Sequence, residues 1–200
     1  MKLNKPNIYV VEGLSGGGKT TVADLIARAV NGKKFNGDVY LFEYIKNNPK
    51  IMKNIFGHGV DGLSGFEYFI KYCLRSIDQY VELLKNANPY IEENIYNKVQ
   101  SDKKLHKQKQ LIFDYATSST MFPWNGEPAI KILVEAPELK RSQALISREH
   151  KSGLKQGSIE VLFQGQQLLI NPKQADIVLP NEFISIEDLR KRIHSDIINI

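Results

Sequence analysis

Short apolar runs that end at turn residues predict the strands of a sheet. Ile8–Val11 is a continuous run, rich in β-branched side chains, and glycines follow it closely. Such a run is typical of a strand buried on both faces of a parallel sheet. Four other runs are expected to form strands: Val39–Phe42, Tyr90–Ile91, Ile130–Val134 and Asp176–Leu179. Together the runs predict a mostly parallel, five-stranded sheet.

Segments with helical periodicity separate these strands. After the first strand, apolar residues recur at helical spacing and predict a helix that Asn31-Gly32 would close. They are Val22, Leu25, Ile26, Ala29 and Val30. Further helices are expected at Phe66–Leu84 (ending before Asn88-Pro89), Lys98–Thr117, Pro137 to about Arg148, and after the capping pair Ser185 and Asp188. Strands that alternate with helices predict a three-layer α/β/α sandwich.

The composition limits the class of protein. The chain has 200 residues, of which 42% are apolar and 24% charged, and this favours one globular domain over residues 1–200. Lys and Arg number 27 against 22 Asp and Glu, so a net charge of +5 weakly favours anionic ligands. The lone Cys73 excludes an internal disulfide and a thiolate zinc cluster, and we expect it to pack in the core. No run approaches the roughly 20 apolar residues of a membrane span, so we expect a cytoplasmic protein without a membrane partner.

Three further features are assigned no special chemistry. The basic run Lys103–Lys109 lacks interleaved aromatic residues, so we expect a solvated face and no nucleic-acid partner. The four histidines lie without metal-ligand spacing, so no structural metal is expected. Glu160–Gly165 resembles a picornaviral protease recognition sequence. Its internal position favours a chance match over a cloning scar.

One motif carries specific chemistry. Gly13–Thr20 reads GLSGGGKT and matches the phosphate-loop pattern GxxxxGKT, directly between the first predicted strand and the first predicted helix. Glycines let backbone N–H groups converge on phosphate oxygens, and the helix N-terminus adds partial positive charge. Lys19 is expected to reach the β and γ phosphates, and the Thr20 hydroxyl to bind Mg²⁺. The sequence therefore predicts an ATP–Mg²⁺ site built from Gly13, Ser15, Gly16, Gly17, Gly18, Lys19, Thr20 and Thr21.

Two classes of phosphate-loop protein are disfavoured. A GTPase switch motif needs glycine where Asp61–Ser64 ends in serine, and no NKxD motif is present. Leu14–Gly17 imitates the signature of ABC transporters, but it lies inside the phosphate loop and cannot form a second site. A small phosphotransferase fits the sequence better.

Three segments besides the phosphate loop narrow the class. They are Val39–Glu43, which is a predicted strand ending in a carboxylate, Ile91–Asn97, and Glu135–Glu138 with the following Arg141 and Arg148. With the phosphate loop, the chain resembles the nucleoside and nucleotide kinases, specifically the thymidylate kinase and deoxynucleoside kinase branch. The resemblance implies the P-loop NTPase form of the sandwich with a helical lid at about residues 138–155.

The resemblance also implies catalytic roles. Glu43 would take the proton of the acceptor hydroxyl, and Glu92 would lie near the magnesium and the acceptor. Arg141 and Arg148 share one helix face and would close over the phosphates as lid arginines. The adenine would pack on the stretch after the last strand, Asp176–Phe183.

The chain departs from that branch in three places. Tyr44 replaces a proline after Glu43, and Glu93 replaces an arginine. The segment Phe69–Tyr72 lacks the glutamine that reads the base. The chain is therefore an outlying member or a kinase for a different acceptor.

The function predicted from the sequence is an ATP-dependent transfer of the γ-phosphate to a nucleoside, a nucleoside monophosphate or a similar small acceptor. The main alternative is a catalytically weak phosphate-loop module that binds nucleotide for regulation, since Glu93 changes the sign of an expected charge. ATP hydrolysis coupled to a partner protein is a third interpretation without positive support. A homodimer is compatible with the resemblance.

Overall fold

All five strands of the sheet run parallel. The computed structural model describes residues 8–101, 110–117, 129–152, 155–182 and 185–198. In these ranges the strands lie in the order β2-β3-β1-β4-β5. Their bounds are β1 Ile8–Glu12, β2 Lys33–Asn36, β3 Leu111–Asp114, β4 Ala129–Glu135 and β5 Ile177–Pro180.

Helices occupy most of the remaining described chain. Their bounds are α1 Lys19–Ala29, α2 Gly37–Asn47, α3 Pro49–Phe56, α4 Gly65–Tyr68, α5 Ile77–Ser101, α6 Glu138–Ser152, α7 Gln156–Gln167 and α8 Ile186–Ile193. A π-helical turn extends α4 over Phe69–Cys73, and another extends α8 over His194–Ile198. A short 3₁₀ turn, Pro172–Gln174, precedes β5.

Two hydrophobic cores cover the two faces of the sheet. Alternate residues of a strand point to opposite faces, so Ile8 and Val10 of β1 pack in one core and Tyr9 and Val11 in the other. The first core joins the sheet to α2, α5 and α7, and the second joins it to α1 and α8. The three-layer α/β/α sandwich predicted from the sequence is confirmed.

Several elements were predicted close to their observed bounds. This holds for β1, α1, β4 and β5, and for α8, whose N-cap Ser185 accepts a hydrogen bond from the backbone of Asp188 at 3.1 Å. Cys73 is fully buried, as expected.

The second strand was predicted at the wrong place. Val39–Phe42 belongs to α2, where Tyr40, Leu41, Tyr44 and Ile45 form the buried helix face while Val39 is 51% exposed. The true β2 is Lys33–Asn36, an edge strand with Phe35 as its buried residue. Glu43 is therefore not a strand-end residue.

The region around Pro89 was also predicted wrongly. The helix expected to end before Asn88-Pro89 is broken instead at Leu74–Ser76, and α5 then runs through Pro89 to Ser101. Tyr90–Ile91 is helical, so no strand forms there. In place of a polar helix ending at Thr117, Leu111–Asp114 forms the fully buried β3. The basic run at 103–109 lies outside the described residues.

The segment that resembles a protease recognition sequence is an integral part of α7. Leu162 and Phe163 are buried in the first core. Gly165 packs so closely on the Tyr80 ring that a Cβ would collide with it. Among the described residues, no helix combines the length and apolar character that crossing a membrane requires.

Candidate functional site

The phosphate loop joins β1 to α1 at the carboxyl edge of the sheet. Gly16 and Gly18 have φ angles of +77° and +88°, which side-chain-bearing residues rarely adopt. A Cβ on Gly16 would lie 2.6 Å from the carbonyl oxygen of Arg141, and one on Gly18 would collide with the side-chain amide of Asn181. The glycines thus allow the loop to pack tightly against the start of α6 and the residue after β5. The N-terminus of α1 faces the first cavity described below.

Two buried amide side chains hold the loop in place through hydrogen bonds. Asn181, just after β5, donates a hydrogen bond from Nδ2 to the carbonyl oxygen of Gly17 at 2.8 Å. Gln166, near the end of α7, accepts from the backbone N–H of Ser15 at 2.8 Å and donates to Ser15 Oγ at 2.9 Å. Lys19 Nζ lies 3.3 Å from the carbonyl oxygen of Leu14 and donates to it. The loop is therefore supported by α7 and by the segment after β5.

Asp114 ends β3, the strand next to β1, and faces the start of α1. It is 4% exposed, and its Oδ2 is buried without a hydrogen-bond partner in the described structure. Burial raises the pKa of Asp114, while the Thr20 hydroxyl and the charges of Lys19 and Lys34 oppose the rise. A hydroxyl and a buried carboxylate with a spare oxygen are hard oxygen ligands, which fit Mg²⁺.

Asp38 lies in the first turn of α2, directly after β2. Asp38 is an exposed residue, but the protein atoms around it desolvate its carboxyl and raise its pKa. The charge of Lys19 lowers this pKa, and the charge of Asp114 raises it further. The charges of Lys19 and Asp114 therefore both affect Asp38, and all three side chains border the same space. Asp38 holds the position, after the second strand, for which the sequence interpretation selected Glu43.

That space is a cavity of about 250 Å³ beyond the carboxyl edge of the sheet. Parallel sheets bind ligands at this edge. Its phosphate-loop side consists of Ser15, Gly16, Gly18, Lys19, Thr20 and Thr21. Its other walls consist of Asp38, Leu41, Phe42, Phe66, Phe69, Ile70, Tyr80, Leu84, Asp114, Tyr115, Ala116, Thr117, Leu145, Leu162 and Gln166.

Two residues that line this cavity, Tyr115 and Thr117, belong to a hydrogen-bonded group with Asn88. The Tyr115 hydroxyl donates to Oδ1 of Asn88 at 3.1 Å, and Nδ2 of Asn88 lies 3.5 Å from Thr117 Oγ1. Burial raises the pKa of Tyr115 and of Tyr80 well above the usual value, so both phenols are uncharged at neutral pH.

A second cavity, of about 630 Å³, lies on the other side of the loop. Its lining includes Leu14, Pro137, Arg141 and Pro180. The Arg141 guanidinium lies 4.4 Å from the centre of the Phe163 ring and donates from Nε to the carbonyl oxygen of Ala136 at 3.0 Å. Arg141 is 8% exposed, and its Nη1 has no hydrogen-bond partner among the described residues. Burial lowers the pKa of Arg141.

The structure gathers some predicted site residues and leaves others apart. The loop residues Ser15, Gly16, Gly18, Lys19, Thr20 and Thr21 line the first cavity, and their nucleotide-binding roles stay predictions. Glu43 is exposed on α2, and Glu92 is half-buried on α5, where burial raises its pKa; neither lines either cavity. Arg148 belongs to α6, but its side chain lies outside the description. The catalytic roles of these residues stay predictions.

Sequence reasoning missed four residues of the site. Asp114 had a local signal, because it ends the apolar run Leu111–Phe113 in the manner of a strand followed by a ligand-binding carboxylate. Asp38 had a weaker sequence signal, because the preceding strand β2 is short and mostly polar. Gln166 and Asn181 had none, because their roles depend on contacts 151 and 164 positions away. Within the described residues, no group of three or more His, Cys, Asp or Glu forms a metal site of its own.

Solved structures share this architecture. The Thermus thermophilus protein TT1252 has a TM-score of 0.62 and 21% identity, with 98% of this chain and 99% of that chain covered. Dephospho-CoA kinase from Campylobacter jejuni has a TM-score of 0.56 and 16% identity, with 97% and 96% covered. Shikimate kinase from Acinetobacter baumannii, in complex with shikimate, has a TM-score of 0.56 and 16% identity, with 98% and 94% covered.

These likenesses establish the fold: the chain shares the α/β/α architecture of dephospho-CoA kinase and shikimate kinase. They do not single out the thymidylate kinase and deoxynucleoside kinase branch. No protein-family model and no curated protein sequence matches the chain.

Proposed function

We propose that the protein transfers the γ-phosphate of magnesium-bound ATP to a hydroxyl group of a small molecule. The observation that carries the proposal is the convergence of Lys19, Thr20, Asp38 and Asp114 on one cavity at the mouth of the phosphate loop. Phosphoryl transfer depends mainly on positioning and on stabilising charge, and this group supplies both. The shared fold with dephospho-CoA kinase and shikimate kinase supports the same class of reaction.

The donor would lie along the loop. Backbone N–H groups from Gly16 to Thr21 would hold the β-phosphate, and Lys19 would turn from the carbonyl oxygen of Leu14 to the β and γ oxygens. The second cavity would take the adenine between Arg141 and Pro180, next to the stretch that the sequence assigned to this purpose.

The residues present fit a magnesium ion. Thr20 and the spare oxygen of Asp114 would hold it together with the nucleotide. When bound, the ion neutralises phosphate charge that develops during transfer.

Asp38 would position the acceptor. The charge of Lys19 lowers the pKa of Asp38 and both residues line the first cavity, so an acceptor hydroxyl beside Asp38 would also face the γ-phosphate that Lys19 holds. A carboxylate there can orient the hydroxyl and receive its proton. Helices α6 and α7 would complete the site through Leu145, Leu162 and Gln166, which line the cavity. Closure of Arg148 over the phosphates belongs to the same proposal.

The test is release of ADP from magnesium-ATP in the presence of nucleosides, nucleoside monophosphates and other small hydroxyl compounds. Release that depends on an acceptor, lost in Lys19→Ala and kept in Lys46→Ala, supports the proposal. Lys46 is an exposed lysine of α2 that lines neither cavity, so it is the matched control. Tight ATP binding with no release for any acceptor would instead support a nucleotide-binding regulatory module. Release that needs no acceptor would indicate an ATPase.

A further inference from the structure

The acceptor part of the cavity is apolar, and this limits what the acceptor can be. This inference rests on the proposed function. Away from the phosphate loop, the walls are formed mainly by side chains of α2, the α4 turn and α5. Those side chains are Leu41, Phe42, Phe66, Phe69, Ile70 and Leu84. Polar partners in the described lining lie at the carboxyl edge of the sheet and at Tyr80 and Gln166, which are hydrogen-bonded to each other.

The described lining of the cavity carries more negative than positive charge. Among its described lining residues, Lys19 is the one cation, against the carboxylates of Asp38 and Asp114. Lys19 and Asp114 are both committed to the donor and its metal ion in the proposed function. The acceptor therefore meets Asp38 and no cationic side chain in the described lining. Against the described lining, an anionic acceptor would lose its hydration without gaining an ion pair, and it would lie next to the carboxylate of Asp38.

Three phenylalanines form an aromatic wall that is incompletely covered. The Phe42 ring centre lies 5.4 Å from that of Phe66 and 5.6 Å from that of Phe69, both in edge-to-face arrangements. Phe66 lines the cavity and is 41% exposed, so part of its ring is accessible to a ligand. A flat apolar ring of a ligand would cover this surface, and aromatic side chains favour such contacts.

We propose that the acceptor is an uncharged alcohol whose apolar ring or chain packs on Phe42, Phe66 and Phe69 and whose hydroxyl lies at Asp38. Its oxygen forms a bond to the γ-phosphorus of ATP, and the bond from that phosphorus to the β–γ bridging oxygen breaks. The electron pair of the broken bond leaves with ADP, and the hydroxyl proton passes to Asp38. Of the acceptors predicted from the sequence, this selects a nucleoside over a nucleoside monophosphate.

The test uses pairs of acceptors that share a skeleton and differ in charge. Suitable pairs are thymidine and thymidine monophosphate, adenosine and adenosine monophosphate, and pantothenol and pantothenate. We expect kcat/KM for the uncharged member to exceed that for the anionic member by at least about tenfold. A preference for the anionic members overturns this inference and leaves the proposed function standing. If ATP binds but no acceptor in either set raises ADP release, the proposed function fails, and this inference fails with it.

A charge placed on the aromatic wall gives an independent readout. Phe66→Arg adds a cation at a partly exposed position, so it should shift the ratio of kcat/KM between the members of a pair by about tenfold toward the anionic one. Phe66→Leu keeps the wall apolar and should leave that ratio within about twofold of the wild-type value. An unchanged ratio in Phe66→Arg would contradict the inference.

Discussion

Gln166 and Ser15 are joined by two hydrogen bonds across 151 positions of the chain. The Ser15 backbone N–H donates to Oε1 of Gln166 at 2.8 Å, and Nε2 of Gln166 donates to Ser15 Oγ at 2.9 Å. The same Nε2 lies 3.3 Å from the Tyr80 hydroxyl. One buried amide thus ties α7 and α5 to the phosphate loop, so the loop's shape depends on the helices that cover the acceptor cavity.

Replacing this amide should weaken ATP binding. Gln166→Ala removes the hydrogen-bond acceptor of the part-buried Ser15 N–H. An unsatisfied buried donor destabilises the folded loop by about 1–3 kcal/mol. We expect ATP affinity, measured by calorimetry, to fall at least about fivefold. Gln164→Ala is the control, because Gln164 is exposed on the same helix and its side chain donates to Glu160, away from the loop. Equal affinities for the two variants would show that the Gln166–Ser15 contact does not shape the loop.

A methyl group on the phosphate loop should abolish nucleotide binding. In Gly18→Ala the new Cβ would meet the Asn181 amide, and the φ of +88° adds strain of about 1–2 kcal/mol for a residue that has a Cβ. We expect a lower melting temperature and no detectable stabilisation by ATP. Gly157→Ala, in α7 where a Cβ meets nothing within 4 Å, should keep ATP binding and melt at or above the wild-type temperature. Normal ATP binding by Gly18→Ala would refute the loop geometry.

The ionised Asp114 side chain should lower the free energy of unfolding of the ligand-free protein. Burial raises the pKa of Asp114, so the folded protein holds its proton more tightly than the unfolded chain does. The ionised form therefore destabilises the fold at neutral pH, and this penalty disappears as the pH falls through the raised pKa. We expect Asp114→Asn to stabilise the apo protein by about 1 kcal/mol, in the range typical of substitutions at strained functional sites.

The same substitution should remove the added stabilisation that Mg²⁺ gives to bound ATP. Both effects can be read from thermal melts with and without the ion. Asp78→Asn, on the exposed start of α5, should change neither quantity in this way. A destabilised Asp114→Asn protein that still responds to Mg²⁺ would contradict the assigned role.

The transfer rate should depend on the ionisation of Asp38. Desolvation by the surrounding protein atoms raises the pKa of this carboxyl, Lys19 opposes the rise and Asp114 adds to it. Because transfer needs the carboxylate, kcat should be full above that pKa and fall as the pH decreases through it, at a pH above the value near 4 of an ordinary aspartate. Asp38→Asn should lower kcat by about 10²–10⁴-fold. Glu43→Gln, on the exposed face of the same helix, should keep the wild-type profile. Loss of activity in Glu43→Gln alone would restore the role implied by the family resemblance.

The sequence predicted the parts of the fold whose signals are local. A β-branched run, a glycine-rich loop and an apolar stripe specify β1, the loop and α1 without reference to the rest of the chain. The same holds for β4, β5 and the capped helix α8.

The second strand could not be predicted because its pattern is weak. Lys33–Asn36 buries only Phe35 and lies at the sheet edge, whereas Val39–Phe42 is a stronger apolar run. That run buries Tyr40 and Leu41 on a helix instead. Its spacing continues to Tyr44 and Ile45, which fits a period of 3.6 better than a period of 2.

Tertiary contacts override the local rule at Pro89. A proline usually ends a helix, but α5 continues through it. On the preceding residue, the Asn88 side chain bonds to Thr117 and Tyr115 across the first core, which fixes this part of α5 against the loop after β3. Thr117 lines the first cavity and, unlike Asp114, has no local sequence signal, because its position depends on this packing.

The most direct measurement of the central claim follows the γ-phosphate itself in a single turnover. Excess protein is mixed with γ-labelled magnesium-ATP and a panel of uncharged alcohols, and the labelled products are separated. The account predicts that label moves from ATP to one of the alcohols in the wild-type protein, and that Lys19→Ala and Asp38→Asn leave it on ATP. Label that stays on ATP in the wild type, or that appears only as inorganic phosphate whatever acceptor is present, would contradict it.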